Sequence, residues 1–218
     1  MAPETTLFII RHGETEWNRL GKYQGHADSP LTDRGRAQAR AAAKAIAGEA
    51  FDAFYASDLG RAAKTAEILA EALGRRFIAD KRLREQHYGL MQGHGRARAE
   101  ELDPGFFESL AEGNPDYAPR GGESRRQRHE RAIGALSEIA ARHAGQSVLV
   151  VTHGGVVDSL FRETLGIPLE IPRHYSLYNA ALNKFSWSGG TWSLLLWGDV
   201  SHLDAAETTD AGRSITAA

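Results

Sequence analysis

Apolar residues along this chain gather in two kinds of segment that alternate. Leu7-Phe8-Ile9-Ile10 and Val148-Leu149-Val150-Val151 are apolar at every position, the pattern of strands buried on both faces of a parallel sheet. Phe51 to Ala56 reads as another strand and Arg76 to Ala79 as a short one. Between them lie segments of helical spacing. One is an Ala-rich stretch capped by Thr32 or Asp33 and running to about Ala47, and another runs from Leu59 to Leu73. Glu123 to roughly His143 places Ile133, Leu136, Ile139 and Ala140 on one face, and a further helix follows Gly155. Ala181 to Trp187 and Trp192 to Trp197 flank Ser188-Gly189-Gly190-Thr191, a hairpin signal that finishes the sheet at an antiparallel edge.

This order predicts an α/β fold of three layers, a mostly parallel central sheet with helices on both faces. The alternation stops between Lys81 and Gly121, where Gly, Pro and aromatic residues surround short helical segments near Ala97 to Leu102 and Phe106 to Ala111. That stretch, about 81–121, is expected to be a lid-like insertion over the sheet edge. From Asp204 the chain is small and polar with no apolar face, so 204–218 is expected to be a mobile tail on a single domain over 1–203.

Composition narrows the chemistry. A chain of 218 residues suits one domain with a substantial core, and a formal charge of −2 gives no global electrostatic case for nucleic acid or a membrane surface. Anion recognition must then be local. Cysteine is absent, which removes disulfides, thiolate nucleophiles and cysteine metal sites. Glu4 and the shortness of the apolar run before Arg11 fit neither a secretory signal nor a membrane span, so a cytoplasmic location is the expectation. Arg125, Arg126, Arg128 and Arg131 read as a solvated helix face balanced by Glu123, Glu130 and Glu138. His26, His94, His129 and His143 have no metal-ligand spacing.

Two strand ends carry the candidate chemistry. Arg11-His12-Gly13-Glu14-Thr15 follows the first apolar run and Thr152-His153-Gly154-Gly155 follows the second, so two strands deliver a histidine to the crevice where open α/β sheets bind ligands. Arg11 offers a planar fork for phosphate oxygens, and a neutral His12 can attack phosphorus without first losing a proton. Gly154 and Gly155 let backbone approach an anion at a helix start. Ser57-Asp58-Leu59-Gly60-Arg61 sits at a strand-to-helix junction and adds a second guanidinium over the same crevice. Thr15, Asn18 and Gln24 are placed to donate hydrogen bonds to phosphate, Gly25 to allow close backbone approach, and Glu14 to orient a basic partner. Asn179 is a candidate for the pocket rim, as is Gly121-Gly122-Glu123-Ser124, and His87 with Tyr88 for contact with the leaving group.

These segments, with Tyr23-Gln24-Gly25, Leu31-Thr32-Asp33-Arg34-Gly35 and Leu83-Arg84-Glu85, resemble the histidine phosphatase superfamily, the group containing cofactor-dependent phosphoglycerate mutases, in its phosphatase branch. The resemblance covers nearly the whole chain to about His202. It implies that His12 is phosphorylated in turnover, that Arg11, Arg61 and His153 complete the phosphate pocket, and that Glu85 is the proton donor, selected over Glu100 and Glu101. The implied activity is a metal-independent phosphomonoester hydrolase acting on a small phosphorylated metabolite, with no cofactor and with a homo-oligomer left open. Mutases of the family carry a longer insertion with a paired-arginine segment. Here Gln92 to Gly121 is shorter and offers only Arg96, Arg98 and Arg120, so a more open pocket that admits water is expected. The alternatives are a phosphoglycerate mutase, a phosphatase-fold binding protein without turnover, and a metallohydrolase using His12, His153 and Glu85 as ligands. The last leaves Arg11 and Arg61 unexplained, because crowded cations weaken metal binding.

Overall fold

The computed structural model describes residues 3–204; the tail expected over 204–218 lies, apart from Asp204, outside the described residues. One sheet of six strands organises the chain in the order β3-β2-β4-β1-β5-β6. β1 (Thr5–Arg11), β2 (Ala53–Ala56), β3 (Ile78–Ala79) and β4 (Ser147–Thr152) run parallel, while β5 (Leu182–Ser188) and β6 (Thr191–Asp199) form the antiparallel edge hairpin. The strand expected over Arg76 to Ala79 is reduced to its last two residues.

Alternation along β1 and β4 divides the core between two faces. Leu7, Ile9, Val148 and Val150 pack with Leu136 and Ile139 of α6 (Arg125–Arg142) and Val157 and Leu160 of α7 (Gly154–Leu165). Phe8, Ile10, Leu149 and Val151 pack with Ala39, Ala42 and Ala43 of α2 (Asp33–Ala45) and Ala62, Ala66 and Leu69 of α3 (Gly60–Leu73). The alanines at helical spacing bring α2 and α3 close to the sheet. Removing each of the Leu, Ile, Val and Phe side chains from water stabilises the fold by about 1.5–3 kcal/mol.

Three features of this frame set the site. The short α1 (Glu16–Arg19) follows β1, with Thr15 at its N-cap. Thr32 caps α2, its hydroxyl accepting from the Gly35 amide at 2.9 Å. Gly13 and Gly35 then meet backbone to backbone: a Cβ on Gly13 would stand 2.3 Å from the Gly35 carbonyl oxygen, and one on Gly35 would stand 2.0 Å from that of Glu14. Only glycine permits this contact, which presses the start of α2 against the loop carrying His12.

The insertion holds α4 (Arg96–Leu102) and α5 (Pro104–Ala111) around a small core of Tyr23, Met91, Ala99 and Phe106. α6 begins two residues later than the sequence suggests. Ser124 and Gln127 form a reciprocal capping box, so Glu123 is left outside the helix. Among the described residues, no helix is long and apolar enough to cross a membrane.

Candidate active site

The two histidines meet because β1 and β4 are parallel and in register to their last residues. Arg11 lies opposite Thr152, and the His12 amide donates to the Thr152 carbonyl at 2.9 Å. The next residue on each strand is a histidine, and their ring centroids are 5.2 Å apart. β2 ends level with them, placing Ser57 where its hydroxyl meets His153 Nε2 at 2.8 Å. The other nitrogen of that ring, Nδ1, is buried without a hydrogen-bond partner among the described residues. When the Ser57 hydroxyl donates to Nε2, Nδ1 carries the ring proton and can donate to an arriving oxyanion.

Arg61 sets the state of His12. It is 1% exposed, and its guanidinium donates to the carbonyls of Gly25 at 2.8 Å and Ala27 at 3.0 Å and to the Asp28 carboxylate at 3.0 Å. Its Nε N–H points at His12 Nε2 at 3.3 Å. Arginine is a donor only, so Nε2 carries the lone pair and the ring proton is on Nδ1, which donates to the Gly13 carbonyl at 2.7 Å. Burial, then Arg61 and Arg11, hold the His12 pKa well below the ordinary histidine value. His153 is lowered in the same way by burial, Arg61 and His12. At neutral pH the site therefore presents an uncharged imidazole whose Nε2 electron pair faces Arg61 beside fixed cations.

Thr15 does not reach the pocket. Its amide donates to Asn18 Oδ1 at 3.2 Å and its hydroxyl donates to Gln24 Oε1 at 3.0 Å. Ser29 also meets Gln24 Oε1, at 3.3 Å, and Asn179 meets Asn18 Oδ1, at 3.4 Å. Both amide oxygens are thus tied back. Their NH₂ groups have no partner among the described residues, and both side chains line the pocket. Thr15 is a positioning residue that leaves two donors at the pocket. Asn179 plays a similar part from beneath, donating to the His12 carbonyl at 2.8 Å rather than standing at the rim.

Glu85 faces the same space. Its two oxygens accept from the amides of Gln86 at 2.8 Å and Gly155 at 2.9 Å, the latter in the first turn of α7. Its carbonyl accepts from His26 Nε2 at 2.9 Å and from Arg131 at 3.3 Å, and Arg131 also bonds the carbonyls of Arg82 and Arg84. Glu123 anchors Arg131 in turn, and Gly122 packs on the His87 backbone. The expected rim segment therefore braces the Glu85 loop instead of lining the pocket. Tyr88 lines it; His87 stands outside, its ring edge-on to His26.

The arginine run of α6 is not a solvated face. Arg128 is buried, pairs with Asp158 at 3.2 Å and lines the pocket together with Arg125, while Arg126 alone pairs outward with Asp116 and Glu170. Asp158, Arg162 and Arg173, all pocket-lining, were given no role by sequence reasoning. None of Arg96, Arg98 and Arg120 of the insertion lines it. Glu14 accepts from Thr32 at 2.8 Å and faces Arg34 at 3.7 Å, away from the pocket.

The completed pocket, about 210 Å³, is lined by Arg11, His12, Asn18, Gln24, Gly25, Arg61, Glu85 and Gly154, while His153, fully buried, lies beside His12 outside that lining. Gly25 adopts a φ of 59°, which turns its carbonyl onto Arg61. Among the described residues, no group of three or more His, Asp or Glu side chains is placed to hold a metal ion.

Comparison with known proteins identifies the family. A family model described as Histidine phosphatase superfamily (branch 1) matches residues 7–200. Phosphoglycerate mutase-like protein 4 of Arabidopsis thaliana is 36% identical over 94% of this chain and 90% of its own length. The solved structure of Bacillus stearothermophilus YhfR superposes with a TM-score of 0.85 at 37% identity, covering 92% of this chain and all of the other. A mycobacterial glucosyl-3-phosphoglycerate phosphatase, solved with VO3, gives a TM-score of 0.77 at 32% identity over 88% of this chain and 98% of its own.

Proposed function

The chain belongs to the histidine phosphatase superfamily, branch 1, and from that premise we propose that it is a phosphomonoester hydrolase working through a phosphohistidine. The observation that carries this reading is the state of His12: neutral, with the Nε2 lone pair at the pocket and Arg61 Nε against it. Nε2 attacks phosphorus in line as the bond to the leaving oxygen breaks. Arg11, Arg61, His153 and the amides of Asn18 and Gln24 take up the charge on the equatorial oxygens. Glu85 delivers a proton to the leaving oxygen. Water then attacks the phosphohistidine and gives its proton to the Glu85 carboxylate, which releases phosphate and restores both groups.

Fixed cations supply the charge stabilisation here, so activity should survive exhaustive chelation. The substrate in this reading is a small phosphorylated metabolite, handled in the cytoplasm. A second reading, phosphoglycerate mutase, draws on the name of the Arabidopsis relative and on the arginines gathered around Asp158. Phosphate release from a panel of phosphomonoesters, measured beside interconversion of 3- and 2-phosphoglycerate, separates the two. Hydrolysis exceeding interconversion supports the phosphatase, and efficient bisphosphoglycerate-stimulated interconversion overturns it.

A further inference from the structure

Apart from Arg11 and Arg61, five cationic side chains line the pocket, Lys22, Arg125, Arg128, Arg162 and Arg173, against two acids, Glu85 and Asp158. One acid is already engaged. Asp158 faces Arg128 at 3.2 Å and Arg162 at 3.1 Å and accepts from the Tyr175 hydroxyl at 2.6 Å. One carboxylate shared by two guanidiniums leaves this wall positively charged. A phosphoryl group bound at His12 does not account for it, because Arg11, Arg61, Asn18 and Gln24 already surround that position.

Gly155 locates this charge relative to the reaction. A Cβ there would stand 2.1 Å from Glu85 Oε1 and 3.0 Å from Arg128 Nη1, so the carboxyl and the guanidinium flank the same point. Arg128 therefore lies on the leaving-group side. Arg125 is one helical turn before it on the same face of α6, where residues three apart are neighbours. Arg126, Arg128 and Arg131 all have carboxylate partners, whereas the Arg125 side chain has no ion pair or hydrogen bond among the described residues, and its Nη2 is buried. Burial, Arg128 and Arg162 all disfavour its charge. A half-buried guanidinium without a partner beside two others is stabilised by an anion placed against it. Tyr23, Tyr88, Phe106 and Leu110 give the same pocket an apolar lining.

We propose that Arg125, seated on the Arg128–Asp158–Arg162 network, binds a second anionic group, a carboxylate or a phosphate, at the far end of the leaving group. The site then selects phosphomonoesters whose alcohol carries such a group over those with a neutral tail. This deepens the phosphatase reading and rests on it for the direction of the substrate.

Binding of nonhydrolysable phosphonates, read by calorimetry, tests the proposal apart from turnover. The probes are alkylphosphonates of increasing chain length ending in hydroxyl, carboxylate or a second phosphonate, with hydrolysis of p-nitrophenyl phosphate measured alongside. At the best chain length the charged-tail ligands should bind at least about ten-fold more tightly than the hydroxyl ligand, the effect of one charge-assisted contact. The carboxylate and phosphonate series show which anion is preferred. Arg125→Gln should bring the ratio near one, Arg125→Lys should keep part of it, and Arg126→Gln, outside the pocket, should keep all of it. Equal binding of charged and neutral tails by the native chain, or a preference that persists in Arg125→Gln, overturns the proposal. Failure to hydrolyse p-nitrophenyl phosphate counts against the phosphatase reading while the binding ratio still decides the second anion.

Discussion

The floor of the pocket and its far wall are built in different ways. The floor is His12, set on residues that leave β1, β4 and β2 at one level, so backbone pairing alone puts His12 beside the buried His153 and Ser57. The wall is assembled from separated segments, the Glu85 loop, α6 and the start of α7, and is held by arginines bonded to carbonyls and carboxylates. In the reaction proposed above, the floor would contact the group being transferred and the wall what leaves. Substitutions in the floor should then impair every substrate, and substitutions in the wall should impair some substrates more than others.

The largest effect is expected in the floor. His12→Ala should lower kcat by roughly 10⁴-fold or more on all phosphomonoesters, as loss of a nucleophile does. Circular dichroism should show the fold retained, because the ring bonds only Gly13 and Arg61. A loss confined to some substrates would break the division. Arg61→Ala should cost roughly 10³-fold on good and poor leaving groups alike. It should also lower the unfolding midpoint, since it removes bonds to Gly25, Ala27 and Asp28 and leaves those acceptors behind.

The wall gives the contrasting result. Glu85→Gln should slow alkyl phosphates by about 10²–10⁴-fold while p-nitrophenyl phosphate, whose leaving group needs little protonation, changes far less. Equal loss on both, with the chemical step shown to limit both by burst kinetics, would reassign Glu85 to positioning.

The smallest effect is on stability against pH. His12 and His153 are held neutral in the fold with pKa values below the unfolded ones. Between the folded and unfolded pKa the unfolded chain binds more protons, so their share of stability is complete above about 6.5 and is lost as pH falls below it. Urea midpoints should drop as pH is lowered from neutrality toward 5. His26 and His129 are lowered as well, so the part of the slope that disappears in His12→Ala measures the floor. An unchanged slope in that variant would show that His12 is not held neutral by the fold.

The same contrast explains what could be read from the sequence. Arg11-His12-Gly13 and Thr152-His153-Gly154 are contiguous motifs after apolar runs, and parallel strands in register place them together without further information. The sheet, the crossover helices and the terminal hairpin were legible for the same local reason. Thr15 was placed on the phosphate because a hydroxyl beside the nucleophile suggests contact, whereas the short α1 turns it inward to orient Asn18 and Gln24. The wall was misread because four arginines on one helix look solvated when judged by residue type. A geometric signal was present: the buried stripe of Ala132, Ala135, Leu136 and Ile139, extended back one turn, lands on Arg128. Its partner Asp158 lies on another helix, and no local pattern announces such a pairing.

Rapid-quench labelling with a ³²P-phosphomonoester, followed by peptide mapping under alkaline conditions that preserve phosphohistidine, tests the central claim most directly. The account predicts label on His12, formed and discharged at rates that match turnover. Label on His153, or steady hydrolysis with no labelled histidine under conditions where release is slower than transfer, would contradict it.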